Sequence, residues 1–248
     1  AERQRRKVER HLRESGLPAG KTLASLDLEQ LPDKVRRALP TLASAELVRR
    51  GDNLLCFGLP GRGKSHVCAA LGREWIERHG LKVLFTPTFK LVTQLLAARR
   101  DLRLPAALAR LDRFDAIILD DLGYIQQSRD EMEVLFTFLA ERYEKRTVVI
   151  TSNLVFSQWD QIFKDPMTTM AAVDRLVHHA TILEFAGDSW RASAAVAQAK
   201  AACSVRSAGW SEGHDPPPDH SAQIGVPHLE AQATNHFGRH QRGGLRLL

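Results

Sequence analysis

The chain has 248 residues, 44% hydrophobic and 26% charged, with 35 basic against 29 acidic side chains and a net charge of +6. This is the balance of a soluble protein, and the length allows one large domain or a domain with appendages. No apolar run approaches the roughly 20 residues of a membrane span, and nothing at the start resembles a signal peptide, so a cytoplasmic protein without membrane contact is expected. Cys56, Cys68 and Cys203 show no metal-type spacing, and Cys56 and Cys68 fall in apolar segments as reduced core thiols. The sequence opens on Ala1 rather than Met, as a fragment that has lost upstream residues would.

Residues 1–15 carry Arg3, Arg5, Arg6, Lys7, Arg10 and Arg13 against Glu2, Glu9 and Glu14. Val8 and Leu12, four apart, give a helix here only a narrow apolar strip. Its charged face suits either solvent or a nucleic acid. Gly16-Leu17-Pro18-Ala19-Gly20 ends it, and residues 22–50 lead irregularly or helically to the first strand. From there strands and helices alternate. Leu54–Phe57 is predicted as a strand, Lys64–His79 as a helix closed by Gly80, and Lys82–Thr86 as a strand. Phe89–Arg113 is predicted as a helix interrupted near Pro105, and Ala116–Leu119 as a fully apolar strand. Arg129–Lys145 is a helix with Met132, Leu135, Phe136 and Leu139 on one face. Thr147–Thr151 and Ala180–Phe185 complete the strands, the latter after a helical patch. Strands apolar on both faces and separated by helices predict a five-stranded parallel sheet flanked by helices, an α/β protein with a short N-terminal helix. From Cys203 onward the pattern stops, in a neutral stretch with Pro216-Pro217-Pro218 and five irregularly spaced histidines. The expected division is a basic helix over 1–20, a core over 21–200 and an irregular tail over 201–248.

Three segments carry chemistry. Gly58-Leu59-Pro60-Gly61-Arg62-Gly63-Lys64-Ser65 follows the first strand and opens a helix. At that spacing the glycines let the backbone curl its N–H groups around a phosphate. Lys64 adds a cation at the outer phosphates, Ser65 offers a hydroxyl to magnesium, and the helix points its positive end at the same anion. His66 in the first turn joins the nucleotide-binding set. Asp120 and Asp121 end an apolar strand at the edge where parallel sheets bind ligands. Asp120 is placed to hold magnesium and Asp121 to act as a general base toward water. Asn153, after the strand Thr147–Thr151, can bond the terminal phosphate or orient the water. From the residues alone, Asp174-Arg175 reads best as a surface pair, with stabilisation of phosphoryl-transfer charge as the alternative.

Together these segments resemble the AAA+ ATPases, and within them the IstB-like ATP-binding proteins that assist insertion-sequence transposases. The resemblance covers roughly residues 1–200. It rests on Gly58–Ser65, on Leu119-Asp120-Asp121-Leu122-Gly123-Tyr124 and on Thr151-Ser152-Asn153. More particular are Phe156-Ser157-Gln158-Trp159, Ile162-Phe163-Lys164-Asp165-Pro166-Met167 and Ala172-Val173-Asp174-Arg175-Leu176-Val177-His178-His179. Lys21-Thr22-Leu23 and Leu26-Asp27-Leu28 are similar to the family's stretch near the nucleotide base. The resemblance implies ATP and Mg2+ as cofactors, with Lys64 and Ser65 on phosphate and magnesium and Asp120 as the Walker B acid. It implies Asp121 in place of a catalytic Glu, Asn153 as first sensor and Arg175 as arginine finger toward a neighbouring subunit's ATP. Arg191, in Ser189-Trp190-Arg191, is implied as a nucleotide sensor. Asp121 is one methylene shorter than Glu, which implies slow turnover. The family's upstream helical domain is mostly missing before Ala1, and residues 203–248 look foreign to it.

The expected function is an ATP-binding, ATP-hydrolysing regulator of DNA transposition. It would form an ATP-dependent homo-oligomer on double-stranded DNA and present that DNA to the transposase of the same element. Phosphate contacts would come from the basic N-terminus and from Arg99, Arg100 and Arg103. The alternatives are a DnaC-like helicase loader, an ATP-binding scaffold without turnover, and a small-molecule kinase. Asp121 and Asn153 favour water over a kinase substrate as acceptor.

Overall fold

Five short strands, β1 (Asn53–Phe57), β2 (Val83–Pro87), β3 (Ala116–Leu122), β4 (Thr147–Ser152) and β5 (Ala180–Glu184), form one sheet in the order β2-β3-β4-β1-β5. All neighbouring pairs are parallel. Every residue of β1 and of β4 is buried, as strands covered on both faces require. These features come from a computed structural model, which describes residues 2–123, 128–154, 173 and 176–185. The expected tail over 201–248, the segment Phe156–Met167, Arg175 and Arg191 lie outside the described residues.

Among the described residues the α-helices are α1 (Glu2–Glu14), α2 (Asp33–Ala43), α3 (Glu46–Arg50), α4 (Lys64–His79), α5 (Thr88–Arg100), α6 (Leu104–Leu111) and α7 (Arg129–Arg142). Two cores lie on the two faces of the sheet. One joins Leu54 and Cys56 of β1 to Val67, Leu71 and Trp75 of α4 and to Val35 and Leu39 of α2. The other joins Leu55 and Phe57 to Leu91 and Leu95 of α5 and to Leu135 and Phe138 of α7. The alternation along β1 is the period-two geometry of a strand read on both sides.

Two sequence expectations change in detail. The helix over 89–113 is interrupted near Pro105, as expected, with the break itself at Asp101-Leu102-Arg103, where Leu102 has φ 57. Pro105 instead occupies the first turn of α6, where its missing N–H costs nothing. The strand predicted over 116–119 runs on to Leu122, because a bulge lets the chain pass both carboxylates while still paired to β4.

The basic helix α1 keeps Arg3, Arg5, Arg6, Lys7, Arg10 and Arg13 exposed. Its other face packs Val8 and Leu12 against the first core. His11 is buried with Nδ1 3.1 Å from the Leu81 carbonyl, and the Phe85 N–H donates to the Ser15 carbonyl at 2.7 Å. The end of α1 thereby covers one point on the open edge of β2. Among the described residues, no helix is long and apolar enough to cross a membrane.

Candidate functional site

The loop Gly58–Ser65 turns the chain from β1 into α4 with Gly58, Gly61 and Gly63 all at positive φ (144°, 77° and 84°). Gly58 is required for a second reason: a Cβ there would run into the carbonyl oxygen of Phe185. Gly63 starts α4 with no side-chain cap, and no acidic residue stands in the helix's first turn. The uncapped N–H groups and the positive end of the helix therefore face the loop, a cradle suited to an anion. Beneath it, the fully buried thiols of Cys56 and Cys68 lie 3.5 Å apart, one in the strand and one in the helix that flank the loop. The adjacent Cys56 thiol and burial push the Cys68 pKa up, which keeps it a protonated, inert thiol.

Opposite the loop stand the polar ends of β3 and β4. Thr151 Oγ1 donates to Asp120 Oδ1 at 2.7 Å and accepts the Asp121 N–H at 2.8 Å. Thr88 Oγ1 donates to the Asp120 carbonyl at 3.0 Å, and Ser152 Oγ to the Leu122 carbonyl at 2.8 Å. The bulge between Leu119 and Leu122 and a φ of 64° at Asp121 turn the backbone here. A positive φ in a residue other than glycine is tolerated best by Asp and Asn.

Lys64 is 6% exposed, and its ammonium donates to the carbonyls of Gly58 and Leu59 (2.5 and 2.9 Å) and to Asn153 Oδ1 (2.8 Å). Asn153 Nδ2 in turn donates to Asp121 Oδ1 at 3.1 Å. One chain of hydrogen bonds thus runs from the loop lysine through the asparagine to the carboxylate. Burial pushes the Lys64 pKa below its ordinary value of 10.5, against the opposing pull of Asp121 and Asp120.

These groups surround a pocket of about 340 Å³ lined by Lys21, Pro60 to His66, Asp120, Asp121, Thr151 and Asn153. Beside it the Arg62 Nε and Nη1 groups are buried without a hydrogen-bond partner, and an anion is the acceptor such donors lack. The residues fit a nucleoside triphosphate with magnesium. The glycine cradle and cations suit phosphates, and the Ser65 hydroxyl and Asp120 carboxylate are the hard oxygen donors Mg2+ takes. The predicted residues Gly58–His66, Asp120, Asp121 and Asn153 are therefore brought to one place, with Leu59 standing out to solvent at 61% exposure. Sequence reasoning missed Thr151, hidden in a β-branched run that reads as strand, and Thr88 at the head of α5. It placed Lys21 near the nucleotide base only through the family resemblance, and it left Ser25 unassigned. Ser25 closes a capping box with Thr22 and holds His66 Nε2 at 2.9 Å. Burial, followed by the Lys21 charge, lowers the His66 pKa and favours its neutral ring.

A model of the IstB-like ATP binding protein family matches residues 1–198. An insertion-sequence ATP-binding protein of Sinorhizobium fredii is 47% identical over 197 residues, which are 79% of this chain and 66% of that relative's length. The ATP-binding protein of insertion sequence IS21 from Pseudomonas aeruginosa is 36% identical over 189 residues, 76% of this chain and 71% of its own. Among solved structures, a DnaC helicase loader matches with a TM-score of 0.53 at 18% identity, over 72% of this chain and 99% of that one. The replication initiator DnaA bound to AMPPCP and single-stranded DNA matches with a TM-score of 0.58 at 15% identity, over 70% and 52%. The fold is that of the AAA+ P-loop nucleoside triphosphatases.

Proposed function

We propose that this chain, which belongs to the IstB-like ATP-binding protein family, hydrolyses ATP to ADP and phosphate and uses its ATP-bound state to assemble on duplex DNA. The assembled form would recruit or stimulate the transposase of the same insertion element, in the cytoplasm. The observation that carries the reading is the Lys64–Asn153–Asp121 chain at the mouth of an uncapped helix. The relatives named for insertion sequences support the transposition setting over a helicase loader, whose likeness is one of fold.

Bound Mg-ATP supplies the phosphoryl group and its charge. Lys64 exchanges one of its present acceptors for a phosphate oxygen, which frees Asn153 to orient a water. Ser65 and Asp120 would hold the magnesium, with Thr151 fixing the carboxylate of Asp120. Asp121 accepts the proton of the attacking water. Its short side chain reaches less far than Glu, so turnover is slow. Arg175 from a neighbouring subunit stabilises the developing charge, and Arg191 senses the nucleotide. Arg3, Lys7, Arg10 and Arg13 of α1, with Arg100 and Arg103, contact DNA phosphates, while Arg5 and Arg6 are paired with Glu9 and Glu2 and contribute less. Arg99 is already paired with Glu133 at 3.0 Å and contributes less.

Sedimentation with duplex DNA, with and without ATP and Mg2+, tests the reading. ATP-dependent assembly on DNA is expected, and its absence in the intact chain sinks the proposal. Arg175→Ala should keep ATP binding and lower hydrolysis; an unchanged rate removes the finger assignment.

A further inference from the structure

We propose that Glu144, His178 and His179 form a binding site for one divalent metal ion of the zinc class. Glu144 Oε1 lies 3.9 Å from His178 Nδ1 and 3.8 Å from His179 Nε2. Each residue offers one ligand atom, and these atoms all lie within 4.8 Å of one another. Donor atoms held at zinc-ligand distances of about 2.0–2.1 Å around one tetrahedral ion stand roughly 3.3 Å apart. Side-chain movements of about half an ångström therefore bring Glu144 to that spacing with either ring. The two rings are already set edge to face, with centroids 4.3 Å apart.

The fold explains why three residues so far apart in sequence meet. Asn53, first residue of β1, accepts the Val148 N–H at 3.0 Å with its Oδ1 and donates Nδ2 to the Leu176 carbonyl at 3.2 Å. Its own N–H donates to the His179 carbonyl at 2.7 Å. The entries to β4 and β5 are thus tied to one residue between them. Glu144, in the turn before β4, has φ 57, a left-handed backbone that is uncommon for Glu.

Two imidazoles and one carboxylate suit Zn2+, Co2+ or Ni2+, whereas Mg2+ and Ca2+ prefer oxygen donors throughout. All three residues are exposed, so an ion has a path in and keeps a position for water. The Tyr143 hydroxyl lies 3.1 Å from His178 Nδ1, which carries a lone pair when the ring proton sits on Nε2. An arriving ion takes that lone pair, and the hydroxyl turns aside. The cluster stands at the N-terminal ends of the strands, about 17 Å of strand away from the phosphate loop, so it is separate from the magnesium ligands. It would clamp the turn after α7 to the segment entering β5, three residues beyond Arg175.

The test uses the full chain. Zinc content after gel filtration, the visible absorption of bound Co2+, and the Tm shift on adding zinc are compared with His178→Ala, His179→Ala and Glu144→Gln. The five tail histidines and Cys203 are the same in every protein, so the difference from wild type reads this site alone. Each His variant should lose one ion per chain, the tetrahedral Co2+ band and the zinc-dependent part of the Tm shift, with ATP affinity unchanged. Glu144→Gln, the mildest change, should weaken zinc by more than about tenfold, a loss already typical of groups that merely support a ligand. Equal zinc content and equal Tm shifts in wild type and the double His variant would overturn the proposal. So would half an ion per chain accompanied by dimers, which places the ion between molecules.

Discussion

The most buried polar residues at the two ends of the sheet differ in what they bind. At the N-terminal ends of the strands, the buried side chains of Arg142 and Asn53 bind backbone. Arg142, 2% exposed, donates to the carbonyls of Leu111, Phe114 and Thr147 at 3.1, 2.9 and 3.1 Å. Asp115 accepts the Lys82 N–H at 2.8 Å and the Arg146 guanidinium at 2.7 Å. At the C-terminal ends, Lys64, Asn153 and Asp121 bind one another in series. A backbone partner cannot leave without loss of structure. A side-chain partner can be exchanged for a ligand, so the second arrangement is the one that can switch.

That contrast predicts where a substitution strikes. Lys64→Ala should have the largest effect, weakening ATP by roughly a hundredfold or more through lost charge-assisted hydrogen bonds. Calorimetry should find this while Tm moves little; an equal collapse of stability breaks the comparison. Arg142→Met should do the reverse. Three buried carbonyls lose their donor, so about 3 kcal/mol of stability should vanish in urea titrations. ATP affinity of the folded fraction should hold. Burial pushes the Arg142 pKa down to about 10, which shows that its charge is retained at a cost. Asn153→Ala should lower hydrolysis by about a hundredfold, the scale seen when one positioned donor is removed, with smaller change in ATP affinity.

The gentlest effect is one of pH. The Lys64 pKa lies below 10.5 in the free protein, and bound phosphates favour the charged ammonium. Above the lowered pKa, binding must take up a proton, so ATP affinity should fall as pH rises, beginning below the range of an ordinary lysine. Calorimetry in buffers of different ionisation enthalpy counts that proton. Lys64→Arg should move the fall beyond the accessible range.

The phosphate loop was legible because its glycines and lysine act at fixed spacing through local backbone. The strands were legible because parallel strands buried on both faces appear as unbroken apolar runs such as Ala116–Leu119. Thr151 was not, since its role comes from the register of β4 beside the bulge in β3. The break before α6 was legible only as a region, because Pro105 marks the interruption while the turn itself uses Leu102. The meeting of Glu144 with His178 and His179 was invisible for a third reason: it depends on the three bonds of Asn53, which no local pattern records.

The thiols of Cys56 and Cys68 make the loop its own reporter. A thiol-specific reagent can reach either sulphur only when β1 and α4 part, because both are fully buried. With Cys203 replaced by serine, the alkylation rate of this pair measures how often strand and helix separate. The ratio of that rate with and without nucleotide then gives the grip of the ligand on the loop, with no dye attached and no turnover required.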